Sequence, residues 1–316
     1  MSRRLLVVSG LAVMAACGQP RIERPSRGAL SLPDTLLIKS SGPVGPLSRV
    51  PLEQYVVIAA LSEVSPTGEP DTAVARIFDV QTVVARTYAV RNVGRHRAEG
   101  YDLCDTTHCQ VYNPDRLRVS RFAEAARAAG RRTTGLVVAY GTQLAETVFH
   151  ADCGGATTDA SDVWGRVVPY LIRRVDDLPA PTHRPWQFVA TTDQLRTALN
   201  ADTRSTVGRR LDALDVVARD QSDRVMSITA RGESSATLKG DTFRTIVNRT
   251  LGVRSLQSTR FSFTKRGTTY TFDGSGFGHG VGLCQRGAIT RARQGQSLTD
   301  IIDSYYPGTE ILRASR

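Results

Sequence analysis

"PLEQYVVIAALSEVSP", residues 51–66, opens with a proline and carries Leu52, Tyr55, Val56, Ala59 and Ala60 at helical spacing. Proline suits the first turn of a helix, where its missing N–H is not needed. The stretch therefore predicts a helix that starts near Pro51 and breaks in "VSPTGEPD" (64–71). A second helix follows in "TAVARIFDVQTVVARTYAVRNVG" (72–94), with Ile77, Val80, Val84 and Tyr88 as its apolar face and Gly94 as a stop signal. Around this pair the chain alternates less regularly. "DTLLIKS" (34–40) reads as a strand, "RFAEAARAAG" (121–130) as a helix, and "GLVVAY" with "LAETVFHAD" (135–152) as a hairpin around Gly141-Thr142.

Residues 185–272 have a different texture. Helices are expected at "TTDQLRTALN" (191–200) and "DTFRTIVNRTLG" (241–252), and β-like runs at "LDALDVVARD" (211–220) and "RVMSITARG" (224–232), with a hairpin around "KRGT" (265–268). This segment reads as a smaller β-rich subdomain inserted into a core formed by residues 31–184 and 273–314. The class is α+β: mixed helices and antiparallel strands around a substrate cleft.

The 316 residues suffice for a sizeable core. The start, "MSRRLLVVSGLAVMAACGQP", places two arginines before a short apolar run and then Cys17, the pattern of an export signal in residues 1–16. Met14-Ala15-Ala16-Cys17 resembles a bacterial lipoprotein box, which would make Cys17 an acylated N-terminus on a proline-rich tether (17–30). The expected location is outside the cytoplasm, anchored to a membrane and facing the periplasm or cell wall. The formal charge is +11, and loss of Arg3 and Arg4 with the signal leaves +9. The arginines are scattered rather than striped, so no nucleic-acid partner is expected; an exported basic protein meets anionic lipid and wall polymers.

Four stretches carry a resemblance when taken together: "LEQYVVIAALSEVSP", "VQTVVARTYAV", "FHADCGGATTDASDVWG" (149–165) and "GFGHGVGLCQRGA" (276–288). In order and wording they resemble the stage II sporulation protein D family, which includes amidase enhancers of cell-wall remodelling, across roughly residues 50–310. The resemblance implies a lytic transglycosylase that cuts peptidoglycan glycan strands denuded of stem peptides, leaving 1,6-anhydro-muramyl ends. The alternative it implies is a non-catalytic wall-binding factor that stimulates an N-acetylmuramoyl-L-alanine amidase.

Glu63, eight residues after Tyr55, stands where the family has its catalytic glutamate. One carboxyl suffices for this chemistry, as acid and then base, because the sugar's own C6 hydroxyl is the nucleophile. No cofactor is needed for catalysis. Here Pro66 follows Glu63 by three residues instead of two and the connection is longer, which makes Glu69 the reserve candidate. The resemblance also implies substrate-binding roles for Gln81, Arg86 and Tyr88 on the second helix, with Arg86 either on a lactyl carboxylate or holding Glu63. His279 and Gln285, in a glycine-rich loop ahead of a helix beginning near Cys284, would face a sugar. That loop is no dinucleotide fingerprint, since no strand–helix–strand unit surrounds it. Trp164 is either a sugar platform or core, and His150 lines the cleft or is packed inside.

Two cysteine questions stay open. His96, Cys104, His108 and Cys109 form a Cys₂His₂ set that some family members use for a structural zinc, although the spacing is unlike a finger; a Cys104–Cys109 disulfide is the alternative. Cys153 and Cys284 stand where the family usually has small residues. Their joint occurrence suggests that they meet and pair as a disulfide. A cysteine peptidase built from either with His150 or His279 lacks any nominated orienting group.

Overall fold

The computed structural model describes residues 30–40, 45–179 and 182–314. The export signal, Cys17 and all of the tether except Leu30 lie outside the described residues. Strands β1 (Thr35–Lys39) and β2 (Leu47–Pro51) pair antiparallel and lead into α1 (Leu52–Glu63) and α2 (Asp71–Arg91). β3 (Leu103–Cys104) joins β1 in parallel; α3 (Arg116–Val119) and α4 (Ala123–Arg132) follow. β4 (Leu136–Tyr140) and β5 (Gln143–Leu144) form the short hairpin around Gly141-Thr142, and the next segment does not extend it. Instead β6 (Phe149–His150) leaves to pair with a distant strand, and α5 (Ala160–Trp164) comes next.

Then come β7 (Pro185–Thr191), α6 (Thr192–Asn200), β8 (Leu211–Arg219), β9 (Val225–Gly232), β10 (Ser235–Lys239), α7 (Gly240–Leu251), β11 (Phe261–Arg266) and β12 (Thr269–Ser275). They make two antiparallel sheets, ordered β10-β9-β8 and β11-β12-β7. The chain closes with β13 (Leu283–Cys284), α8 (Gln285–Arg293), α9 (Leu298–Tyr305) and β14 (Glu310–Arg313), which pairs with β4.

Among the described residues, three hydrophobic cores explain this arrangement. One gathers α2, α4, α8 and α9 around Ile77, Phe78, Val84, Ile301 and Tyr306. A second packs Leu36, Ile38, Tyr55, Ile58 and Leu103 beneath the first sheet. α1 lies between them, giving Val57, Ala60 and Leu61 to one and Tyr55, Ile58 and Ala59 to the other. That is why its apolar residues surround the helix instead of forming one stripe. The third core is separate and aromatic, running from Trp186 to Phe272 through Phe243 and Phe261. Its residues fall within 185–272, while β12 continues to Ser275. Among the described residues no helix is long and apolar enough to cross a membrane.

Candidate active site

Glu63 is the last residue of α1 and lies where two clefts meet. The larger, about 1330 Å³, is lined by Tyr88, Trp164, His150, His279 and Gln285 among others. The smaller, about 650 Å³, runs past Pro66 and Glu69 towards Arg286 and Arg293. Glu63, Ala151 and Gln285 belong to both walls. Burial raises the Glu63 carboxyl to about 7, against the opposing pull of a hydrogen bond from the Val111 N–H to Oε1 at 2.7 Å. A carboxylic acid in that range holds a proton near neutrality and can also return to the carboxylate. Glu69 is differently placed: both its oxygens are taken up by the Arg293 guanidinium.

The other expected site residues divide. Tyr88 reaches the larger cleft, its phenol pushed up to about 12 by burial. Gln285 lines both clefts, with Nε2 at 3.5 Å from Gln81 Oε1. Gln81 itself is fully buried behind it and lines neither cleft, so its reach is through Gln285.

Arg86 does not meet the expectation of a substrate contact or of a hold on Glu63. It is wholly buried, forks onto Glu53 through Nε (3.0 Å) and Nη2 (2.5 Å), and donates from Nη1 to Leu136 O at 3.0 Å. Its five N–H groups need acceptors once buried, and α1 and β4 supply them. The residue ties three elements together and leaves the cleft alone.

His279 lines the cleft but offers no free nitrogen. Nδ1 accepts the Val281 N–H at 3.1 Å, so Nε2 carries the proton and donates to Phe149 O at 3.0 Å. Burial lowers it to about 4, which keeps the ring neutral. What it presents is a ring face, 5.3 Å from the Trp164 ring. His150, also pushed well down by burial, donates from Nδ1 to Val281 O at 3.2 Å, and its Nε2 has no partner among the described residues. Trp164 is 37% exposed at the end of α5, with Arg166 over its ring, so it is a wall of the cleft and not core.

Gly278 and Gly280, on either side of His279, show why that loop needs glycine. Both have positive φ (107° and 84°); a Cβ would sit 2.9 Å from the Cβ of His150 at the first and 2.4 Å from the Arg224 guanidinium at the second. Arginines missed by sequence reasoning also line the cleft: Arg91, Arg95, Arg244 and Arg254. No local pattern marks them, because they come from α2, α7 and the segments that follow each.

His96, Cys104, His108 and Cys109 meet at the edge of the same cleft, one ligand atom of each within 4.8 Å of the others. Cys104 and Cys109 are free thiols, so the disulfide alternative is not what the structure contains. His96 Nε2 lies 3.3 Å from Cys109 Sγ while its Nδ1 engages Glu99 at 2.6 Å, the outer partner that fixes a metal-binding imidazole. The donor set fits a tetrahedral zinc. Cys153 and Cys284 also meet, as the paired motifs suggested, but as free thiols and not as the expected disulfide; the Cys153 N–H points at Cys284 Sγ, 3.2 Å away.

Fold and site together define an α+β protein with a long polar and aromatic cleft centred on a protonatable glutamate. Residues 40–140 match the family model described as "Stage II sporulation protein", and residues 171–282 match a domain of unknown function. The chain is 28% identical over 278 residues to stage II sporulation protein D of Bacillus subtilis, covering 85% of this chain and 76% of that one. The Bacillus amyloliquefaciens protein of the same name is matched over the same shares at the same identity. Similarity to the amidase enhancer of Bacillus subtilis is 26% over 293 residues, 79% of this chain but 40% of that protein. The chain thus carries a stage II sporulation protein domain and is a homologue of stage II sporulation protein D and the amidase enhancer.

Proposed function

We propose that this protein is an exported cell-wall enzyme that cleaves peptidoglycan glycan strands, denuded of stem peptides, by lytic transglycosylation with Glu63 as acid and base. The observation that carries this reading is the position of Glu63 at the junction of two clefts, which gives a strand room on both sides of the bond to be cut.

The protonated carboxyl gives its proton to the glycosidic oxygen as the C1–O bond breaks and positive charge spreads over C1 and the ring oxygen. The C6 hydroxyl of the same muramic residue then closes on C1, and its proton passes to the Glu63 carboxylate. The acid is restored and no water is consumed. Trp164 and the ring face of His279 suit pyranose faces, and the cleft arginines suit the lactyl carboxylates that denuded strands carry.

A structural zinc on His96, Cys104, His108 and Cys109 belongs to this reading. It would hold the loop whose Val111 N–H fixes Glu63, and it takes no part in the reaction. Acylation of Cys17 would hold the protein at a membrane surface.

A second reading rests on the amidase enhancer likeness: a wall-binding factor that stimulates an amidase without cutting glycan itself. Incubation of denuded strands with wild type and with Glu63→Gln separates the two. Anhydro-muramyl ends from wild type alone support the enzyme. Binding without products from either protein supports the factor.

A further inference from the structure

Asp152, Cys153, His183 and Cys284 come from three separate segments, yet one ligand atom of each lies within 4.8 Å of the others. From this cluster we propose a second metal site, holding a zinc ion that pins the floor of the cleft from behind.

The donor chemistry is that of zinc: two sulfurs, one imidazole nitrogen and one carboxylate oxygen, enough for a closed tetrahedron. Asp152, Cys153 and Cys284 are buried and His183 nearly so, which suits a structural ion more than an open catalytic one. Backbone donors already surround the sulfurs. Cys284 Sγ accepts from Cys153 N at 3.2 Å and from Gly287 N at 3.3 Å in the first turn of α8, and Cys153 Sγ accepts from Gly155 N at 3.4 Å. N–H groups aimed at sulfur, one of them at a helix N-terminus, stabilise thiolates.

Of the neighbouring charges, the Asp176 carboxylate, 3.4 Å from Cys153 Sγ, opposes a bare thiolate there, whereas Arg224 favours a negatively charged metal centre. The Arg224 guanidinium is fully buried, gives one hydrogen bond to Cys153 O at 2.7 Å, and has no partner for Nε or Nη1 among the described residues. Asp220 is near enough to act on it, but a buried guanidinium with two nitrogens lacking acceptors remains costly. Neutral thiols do nothing for it, whereas zinc with two thiolates and one carboxylate carries a net negative charge beside it. Binding would displace the two thiol protons to solvent for each ion taken up. The consequence for the site is direct: the ion would join the Asp152–Cys153 segment, which follows cleft residues His150 and Ala151, to Cys284, which precedes Gln285.

The test uses the full chain with Cys104→Ser and Cys109→Ser, which removes the other cluster. Under reducing conditions this protein should retain one zinc per chain. With cobalt in place of zinc it should show thiolate-to-cobalt charge transfer and tetrahedral d–d bands. Adding Cys153→Ser and Cys284→Ser should abolish both, and His183→Ala should weaken cobalt affinity about tenfold or more. Counting apart from Cys17, an intact mass lower by two hydrogens with neither Cys153 nor Cys284 reactive, meaning a disulfide between them, overturns the proposal; so do reactive Cys153 and Cys284 thiols with no cobalt bands. If that background does not fold, the intact chain serves. Its cobalt content should fall by one on Cys153→Ser, and an unchanged content overturns the proposal.

Discussion

The Val111 N–H donates to Glu63 Oε1 at 2.7 Å, and Val111 stands two residues after Cys109. Tyr55 on α1 grips the same loop, stacking on Tyr112 at 5.1 Å and donating its hydroxyl to Gln110 at 3.2 Å. The cysteine-histidine cluster is therefore coupled to Glu63 by one short piece of backbone. Glu63 is fixed by a loop that follows α2 and β3 in the chain, not by a neighbour on its own helix.

That coupling predicts what happens when the cluster is lost. Cys104→Ser with Cys109→Ser, or stripping of a bound zinc, should lower kcat about tenfold or more with little change in KM, because binding surfaces on α5 and the glycine loop are untouched. Steady-state kinetics on denuded glycan checks this. An unchanged kcat alongside a lowered melting temperature would mean the loop serves stability alone.

The raised Glu63 pKa sets the pH dependence. In the proposed reaction Glu63 acts first as an acid, so the rate should be sustained below about 7 and fall tenfold per pH unit above it. Stability follows the same shift. Between its ordinary value of 4.5 and about 7 the unfolded chain ionises Glu63 while the folded chain does not, so wild type loses stability as pH rises through that window. Glu63→Gln removes this loss and should be the more stable protein at pH 8, by roughly 3 kcal/mol, with the gap closing towards pH 4. Denaturant unfolding at both pH values is the measurement.

For Arg86 the expectation is a stability effect. Arg86→Lys cannot reproduce the fork onto Glu53 or reach Leu136 O as well, and should cost about 3 kcal/mol, seen as a lower melting temperature. KM of the surviving folded protein should not move. A raised KM at unchanged stability would return Arg86 to the substrate.

Trp164→Ala should do the reverse. The side chain is 37% exposed and its loss should leave the melting temperature nearly unchanged. Glycan binding should weaken roughly five- to tenfold, about 1 kcal/mol of aromatic contact. Binding to denuded strands by the Glu63→Gln protein, with and without the second substitution, reads this without turnover.

The sequence by itself determined the helices on either side of "VSPTGEPD", because Pro51, that proline- and glycine-containing break and Gly94 mark where two long apolar-rich runs start and stop. It also singled out Glu63 at the end of α1, Trp164, and the glycine loop around His279, each carried by contiguous wording. Tertiary structure decided what those residues meet. Arg86 finds Glu53 thirty-three positions earlier. Gln81 is hidden behind Gln285, His279 spends both nitrogens on backbone, and β6 aligns with β13 so that Cys284 comes to lie opposite His150. His183, absent from every motif, completes a cluster with Asp152, Cys153 and Cys284. Periodicity records which face of an element is buried. It carries no information on which distant segment covers that face, and the partners of buried polar groups are chosen only when the segments close together.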